Sequence, residues 1–398
     1  MSVNTMSVEQ ANLLLASLHQ QTTGQTTIAP TSLEDFVSMA QATLRCGYDP
    51  IVNALSQMVG RTIIAVRPYD AKFSGLEMTS QRWGGITRKV NFVEGDPEED
   101  KTYALVDGQA IDQYIVKKPK ILETHYYGRD IYSDTYTIFT TQLDTAFTSP
   151  EALGEFFSGL MMHFSNVREQ WLEDLKRGIL CNLIAAKYTS ATAVGSVSTD
   201  QVVHLLTEYN TESGITPALT STTVYQPANF APFIRWCYAR INTLARLMGE
   251  RSEKFQQRVT GKPIMRHTRP QDLKAYILSP FMDQIEAMAL SDTFHDNYLK
   301  MVDKEGVSFW QSIEAPDEIQ VTPAFVDGDL AIASANAVTL TDVVGVLFDR
   351  DAAGYNIYKD TISTSPYNAR GEYYNMFPHV EVQLQNDITE KGVVLMLD

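Results

Sequence analysis

The chain has 398 residues, 44% of them hydrophobic and 20% charged, with a formal net charge of -16. That length allows two or three domains, or one large core with extended excursions. The acidic balance argues against a simple electrostatic clamp on nucleic acid, which needs a basic surface, though it leaves room for a basic patch on one face, and no apolar run reaches the ~20 residues that cross a bilayer.

Met1 to Ala11 is polar and lacks a basic start, so no signal peptide is expected. Cys46, Cys181 and Cys237 are odd in number and far apart, which fits reduced thiols packed as small core hydrophobes. The opening segment predicts two short helices on a flexible link, one over Val8 to Leu18 and one capped by Ser32 with Asp35 three residues on. Thr62 to Val66 and Thr102 to Val106 are strand candidates. Between them runs a long polar excursion with segregated charge. It holds Arg82-Trp83, then Arg88-Lys89, then the acidic run with Glu94, Asp96, Glu98, Glu99 and Asp100. Excursions of this length are functional or extended more often than compact. Two readings stand: a solvated loop, or a protruding hairpin whose two signs dock on neighbouring molecules.

A long helix is predicted next, over about 149–187. Ser149 caps it, Pro150 suits its first turn, and Phe156, Phe157, Leu160, Phe164 and Trp171 fall at three- and four-residue spacing. Arg168, Glu169, Glu173, Asp174, Lys176 and Arg177 are expected on the opposite face. Thr189 to Thr223 reads as a connection with one short helix, Thr199 to Tyr209, and a second long helix starts near Asn229. Beyond it, strands (Lys274–Ser279, Ala324–Val326, Leu330–Ala333, Asp342–Phe348) alternate with short helices (Pro280–Ala289, Asp292–Leu299), as in a compact α+β domain. The chain ends on an alternating strand, His379 to Gln385, a turn, and a return strand from Gly392.

Chemical signatures are sparse. No P-loop, dinucleotide fingerprint, zinc-binding spacing or nucleophile elbow is present. His125, beside Tyr126-Tyr127, reads as a packed aromatic. Asp349 and Asp351, two apart after a strand, are the one acidic pair placed to hold a cation or act as acid and base. The competing reading is a strand-end turn. No cofactor, metal or catalytic residue is expected.

The order of arm, charge-segregated excursion, very long amphipathic helix, α+β domain and terminal strands resembles the major capsid proteins of tailed double-stranded DNA bacteriophages, with the Hong Kong 97 fold. Two strings carry the closest resemblance: Asp342-Val-Val-Gly-Val-Leu-Phe-Asp-Arg-Asp-Ala352 and Tyr367-Asn-Ala-Arg-Gly-Glu-Tyr373. The resemblance implies an α+β capsid fold with an N-terminal arm (1–60), an extended loop (61–125), a peripheral domain with the spine helix (126–224), an axial domain (225–370) and returning strands of the peripheral domain (371–398). It implies hexamers and pentamers tiling an icosahedral virion shell around double-stranded DNA, assembled in the host cytoplasm with portal and scaffolding proteins, some relatives adding decoration proteins. The loop residues Arg82, Trp83, Arg88, Lys89 and Glu94 to Asp100 then become candidates for contacts between copies. Some relatives crosslink their loops through Lys and Asn, but nothing around Lys89 or Lys101 marks either as a donor. Two alternatives remain at this stage: an encapsulin-type compartment shell, and a soluble metal-dependent hydrolase using Asp349 and Asp351.

Overall fold

The computed structural model describes residues 6–65, 72–78, 86–93, 104–112, 114, 116, 118, 120–192, 199–257, 264–283, 303–326, 332–334 and 336–398. Three helices open the chain: α1 (Val8–Thr23), α2 (Leu33–Leu44) and α3 (Tyr48–Ala65). The second starts where its cap predicts, at Ser32, and the first is capped by Ser7, each hydroxyl accepting a main-chain N–H three residues on. The third runs through Thr62 to Ala65, where the expected strand Thr62 to Val66 would begin; Val66 lies outside the described residues. Ile51, Val52, Leu55 and Val59 bury one helical face, and the β-branched residues after them continue that helix against their own propensity. Ala104 to Val106 likewise form no strand.

An antiparallel pair, β1 (Ile86–Val93) and β2 (Lys120–Tyr127), makes a two-stranded ribbon. Short elements β3 (Asp130–Ser133), β4 (Tyr136–Phe139) and α4 (Thr140–Ala146) lead into α5 (Pro150–Thr192). With 43 residues, α5 runs roughly 64 Å. Ser149 caps it, accepting the Ala152 N–H at 3.2 Å. The expected helix at Thr199 to Tyr209 divides into one 3-10 turn, β5 (Val202–His204) and α6 (Leu205–Ser213), because the valines pair with the final strand of the chain. The second long helix, α7 (Pro227–Gly249), follows.

The remaining strands are β6 (Leu273–Leu278), β7 (Asp303–Val307), β8 (Ile319–Val321), β9 (Ala324–Val326), β10 (Ile332–Ser334), β11 (Val338–Leu340), β12 (Val343–Asp349), β13 (Ala353–Thr364), β14 (Tyr373–Asn386) and β15 (Gly392–Met396). Of the helix expected at Pro280 to Ala289, the described part ends at Asp283, and Asp292 to Leu299 lie outside the described residues. The last two strands form no hairpin with each other. β14 pairs with β13, β3 and β4, whereas β15 joins the five-stranded order β5-β15-β12-β6-β7. The turn between them therefore crosses from one sheet to the other.

Alternate side chains of the five-stranded sheet feed two cores. Val346, Phe348, Val394, Met396 and Tyr276 meet the C-terminal half of α5. Val344, Leu347, Val393, Leu395 and Ile277 meet α6 and α7. Both faces are covered, which is why β12 and β15 read as unbroken apolar runs. Gly345 has a steric cause: a Cβ there would lie 2.9 Å from the Tyr276 oxygen of the adjacent strand. A third core packs α1, α2 and α3 on the N-terminal half of α5.

The spine thus joins two cores. Phe157, Leu160 and Phe164 are buried in the arm core, with Phe156 partly buried beside them. Trp171 packs partly buried on the sheet core, its ring 5.1 Å from that of Tyr132. The expected charged outer face is not solvated as a whole. Arg168, Glu169, Lys176 and Arg177 are buried, because sheets and loops wrap the middle of the helix on that side too. Arg168 pairs with Asp360 at 2.8 Å. Arg177 pairs with Glu173 at 2.6 Å and stacks 3.9 Å over the Phe309 ring. Of the three cysteines, Cys181 and Cys237 are buried as expected, while Cys46 is exposed just past the end of α2.

Candidate assembly site

The ribbon carries Arg88 and Lys89, the extended-loop candidates that lie among the described residues. Its register runs from Ile86↔Tyr127 to Val93↔Lys120, so alternation assigns each side chain to a face. Thr87, Lys89, Asn91, Leu122, Thr124 and Tyr126 are partly shielded on one face. The other face holds Ile86, Arg88, Val90 and Phe92 opposite Tyr127, His125, Glu123 and Ile121. On this outer face Phe92 is 61% exposed, Tyr127 74%, Ile86 57% and Ile121 55%. The usual arrangement is largely inverted: Ile86, Val90, Phe92, Ile121 and Tyr127 face solvent around the charged Arg88, Glu123 and His125, and the inner face is polar apart from Leu122. Contiguous exposed apolar surface marks an interaction site.

Arg88 and Lys89 have partners in their own chain. Arg88 Nη2 donates to Glu123 Oε2 at 3.0 Å across the strands, and His125 Nε2 lies 2.9 Å from Glu123 Oε1. The Arg88 hydrogen bond holds the Glu123 carboxyl below the usual carboxylate range. Lys89, on the inner face, reaches Asp387 Oδ2 at 2.8 Å and Glu390 Oε1 at 2.6 Å. Arg82, Trp83, Glu94, Asp96, Glu98, Glu99 and Asp100 lie outside the described residues.

Lys89 enters a buried ionic centre on the turn that joins β14 to β15. Arg266 pairs there with Glu390 and donates from Nη2 to Thr389 Oγ1 at 3.1 Å. Burial would raise the Asp387 carboxyl, yet Lys89 and Arg266 hold it down to about 2. Below the turn, Lys187 of α5 is fully buried, its Nζ donating to the main-chain oxygens of Phe255, Ile388 and Glu390. Lys391 is equally buried and donates to Met248 O at 3.2 Å, Glu250 O at 2.5 Å and Ser252 Oγ at 3.1 Å. Sequence reasoning missed this centre. Its available signal was a lone lysine closing the apolar run Leu183 to Ala186, and a second within the terminal turn.

The chain matches the family of Phi29-like phage major capsid proteins over residues 12–396. It belongs to that family. This capsid protein also matches solved phage structures in fold. The capsid structure of Staphylococcus phage Andhra aligns at TM-score 0.51 and 8% identity, covering 82% of this chain and 84% of that one. A chain in the structure of the head fiber and inner core protein of native bacteriophage P68 aligns at TM-score 0.51 and 10% identity, with the same coverage. No curated protein sequence matches. The Hong Kong 97-type α+β fold implied by the resemblance is the fold of this chain, and the protein is a structural subunit of a virion shell.

Neither alternative reading of this capsid protein finds support. Family membership puts the chain among phage shell proteins, not cargo-enclosing compartments. The Asp349–Asp351 pair proves to be a turn: Asp349 Oδ1 accepts the Asp351 N–H at 3.0 Å and caps the 3-10 turn that links β12 to β13. Among the described residues, no group of three or more His, Cys, Asp or Glu gathers as a metal site, and no helix is long and apolar enough to cross a membrane.

Proposed function

We propose that this capsid protein tiles a closed icosahedral shell as hexamers and pentamers around packaged double-stranded DNA, and that the outer face of the β1–β2 ribbon binds the next copy. The observation that carries the proposal is the inverted alternation of the ribbon, which leaves Ile86, Val90, Phe92, Ile121 and Tyr127 in solvent. A head-to-tail contact repeated around a ring needs such a patch on one edge of every subunit. The exposed ion pair of Arg88 and Glu123 in the middle of the patch supplies orientation rather than affinity. Arg82, Trp83 and the acidic run Glu94 to Asp100 extend the same contact. The long spine carries load across the tile, the subunit works without catalysis, and assembly takes place in the host cytoplasm with portal and scaffolding proteins.

The test is negative-stain microscopy and sedimentation of the purified chain beside the double variant Phe92→Asp with Tyr127→Asp. The parent protein is expected to form closed shells, and shells from infected cells are expected to protect double-stranded DNA from nuclease. The variant is expected to stay folded and unassembled. Shells in normal yield from the variant would contradict the proposal.

A further inference from the structure

The described attachments of the ribbon to its own subunit are polar. None of its described side chains contributes to the three buried cores. Thr87 Oγ1 donates to Gln383 Oε1 at 3.0 Å, Gln383 Nε2 donates to Tyr126 O at 2.8 Å, and Lys89 makes its two ion pairs. A two-stranded hairpin alone is marginal in water, so the order of this ribbon depends on whatever docks it. Neutral hydrogen bonds contribute little net, because water replaces them, while charge-assisted bonds in a shielded site contribute more. Side-chain exposures of 19% for Lys89, 4% for Asp387 and 9% for Glu390 place the lysine pairs in a shielded site, as Gln383 is, so charge rather than burial sets them apart.

The socket that receives Lys89 is built without the ribbon. Asp387 Oδ1 accepts the N–H and the hydroxyl of Thr389, and the Asp387 N–H donates to Ala352 O at 2.7 Å. Glu390 keeps Arg266, and its main-chain oxygen keeps Lys187 at 2.6 Å. The Asp349 N–H holds Lys391 O at 2.9 Å. Groups from α5, the segment after α7 and β12 therefore fix the turn, and the ribbon adds the Lys89 ammonium, with the Tyr126 phenol beside Asp387, to a finished site.

We propose that Lys89 is a latch. It plugs the ribbon into the turn between β14 and β15, and withdrawing it frees the ribbon as a unit without opening any core. The latch sets where the outer face of the ribbon points. Because it acts within one subunit, it stands apart from the shell reading.

Hydrogen exchange on the full-length chain, kept dilute and unassembled, tests it. Lys89→Met is expected to speed exchange in residues 86–93 and 120–127 at least tenfold while α5 and β12 stay as protected as in the parent. Thr87→Val, which removes a neutral contact on the same face, is expected to change ribbon exchange less than twofold. Unchanged ribbon protection in Lys89→Met would overturn the latch. So would equal acceleration in α5 and β12, or a Thr87→Val effect as large as that of Lys89→Met.

Discussion

The Lys187 ammonium, wholly inside the protein, donates to the Glu390 main-chain oxygen at 2.6 Å and so ties the spine helix to the turn between two sheets. It also reaches Phe255 O at 3.3 Å, and Phe255 sits at φ 66, a left-handed conformation that a bulky side chain rarely adopts. That conformation persists because its neighbours determine it. The Phe255 N–H donates to Asp200 Oδ2 at 3.1 Å, and its oxygen accepts Gly392 N–H at 2.8 Å.

Lys187→Met should therefore destabilise the subunit without changing its fold. The Phe255 and Ile388 oxygens keep main-chain donors from Gly392 and Gln257, so the loss falls chiefly on Glu390. The expected cost near neutral pH is about 1–3 kcal/mol in urea unfolding. Burial pushes the lysine down to about 7, with Asp387 and Asp200 opposing and Arg266 reinforcing. Above that pH the folded chain releases a proton that the unfolded chain keeps until about 10.5. Parental stability should thus rise relative to the variant between pH 7 and 9. A constant difference over that range would place the titration elsewhere.

Acid acts through the same turn. Asp387, held down to about 2 in the folded chain, contributes stability that is complete above the ordinary aspartate range near 4 and is lost as pH falls through 2. The contribution is about 2 kcal/mol. Asp387→Asn should lower stability at pH 6 and flatten its decline between pH 4 and 2, followed by tryptophan fluorescence in urea. A variant as acid-sensitive as the parent would rule Asp387 out as the group responsible.

Arg168 and Asp360 lock the spine to β13 at the point between its two apolar stretches. Arg168→Met leaves the shielded Asp360 carboxylate without this partner and should cost about 3–5 kcal/mol. Adding Asp360→Leu should recover most of that loss, because both charges then leave the interior together. Calorimetry on the single and double variants gives the coupling directly. Additive losses would show that the pair is solvated and indifferent.

The parts of the fold legible in the sequence were those governed by local rules. Ser32, Ser149 and Pro150 announced helix starts, and the spacing of Phe157, Leu160 and Phe164 announced the spine. Long-range geometry was not legible. Nothing local separates the β-branched end of α3 from a strand, since the deciding burial of Ile51 and Leu55 comes from packing on α1 and α5. The charges Arg168 and Lys176 resembled a solvated face because the groups that cover them, Asp360 and Lys72 O, lie far away in sequence. The site shows the same division. Arg88 and Lys89 stood out by their charge, yet the alternation of Ile86, Val90 and Phe92, present in the sequence, has meaning only once the inner face of the ribbon is known.

Cryo-electron microscopy of assembled particles at side-chain resolution tests the central claim most directly. Phe92 and Tyr127 are expected to lie buried against the neighbouring copy in every ring, with Lys89 still within reach of Asp387 in its own subunit. Shells in which both aromatic side chains remain in solvent would contradict it.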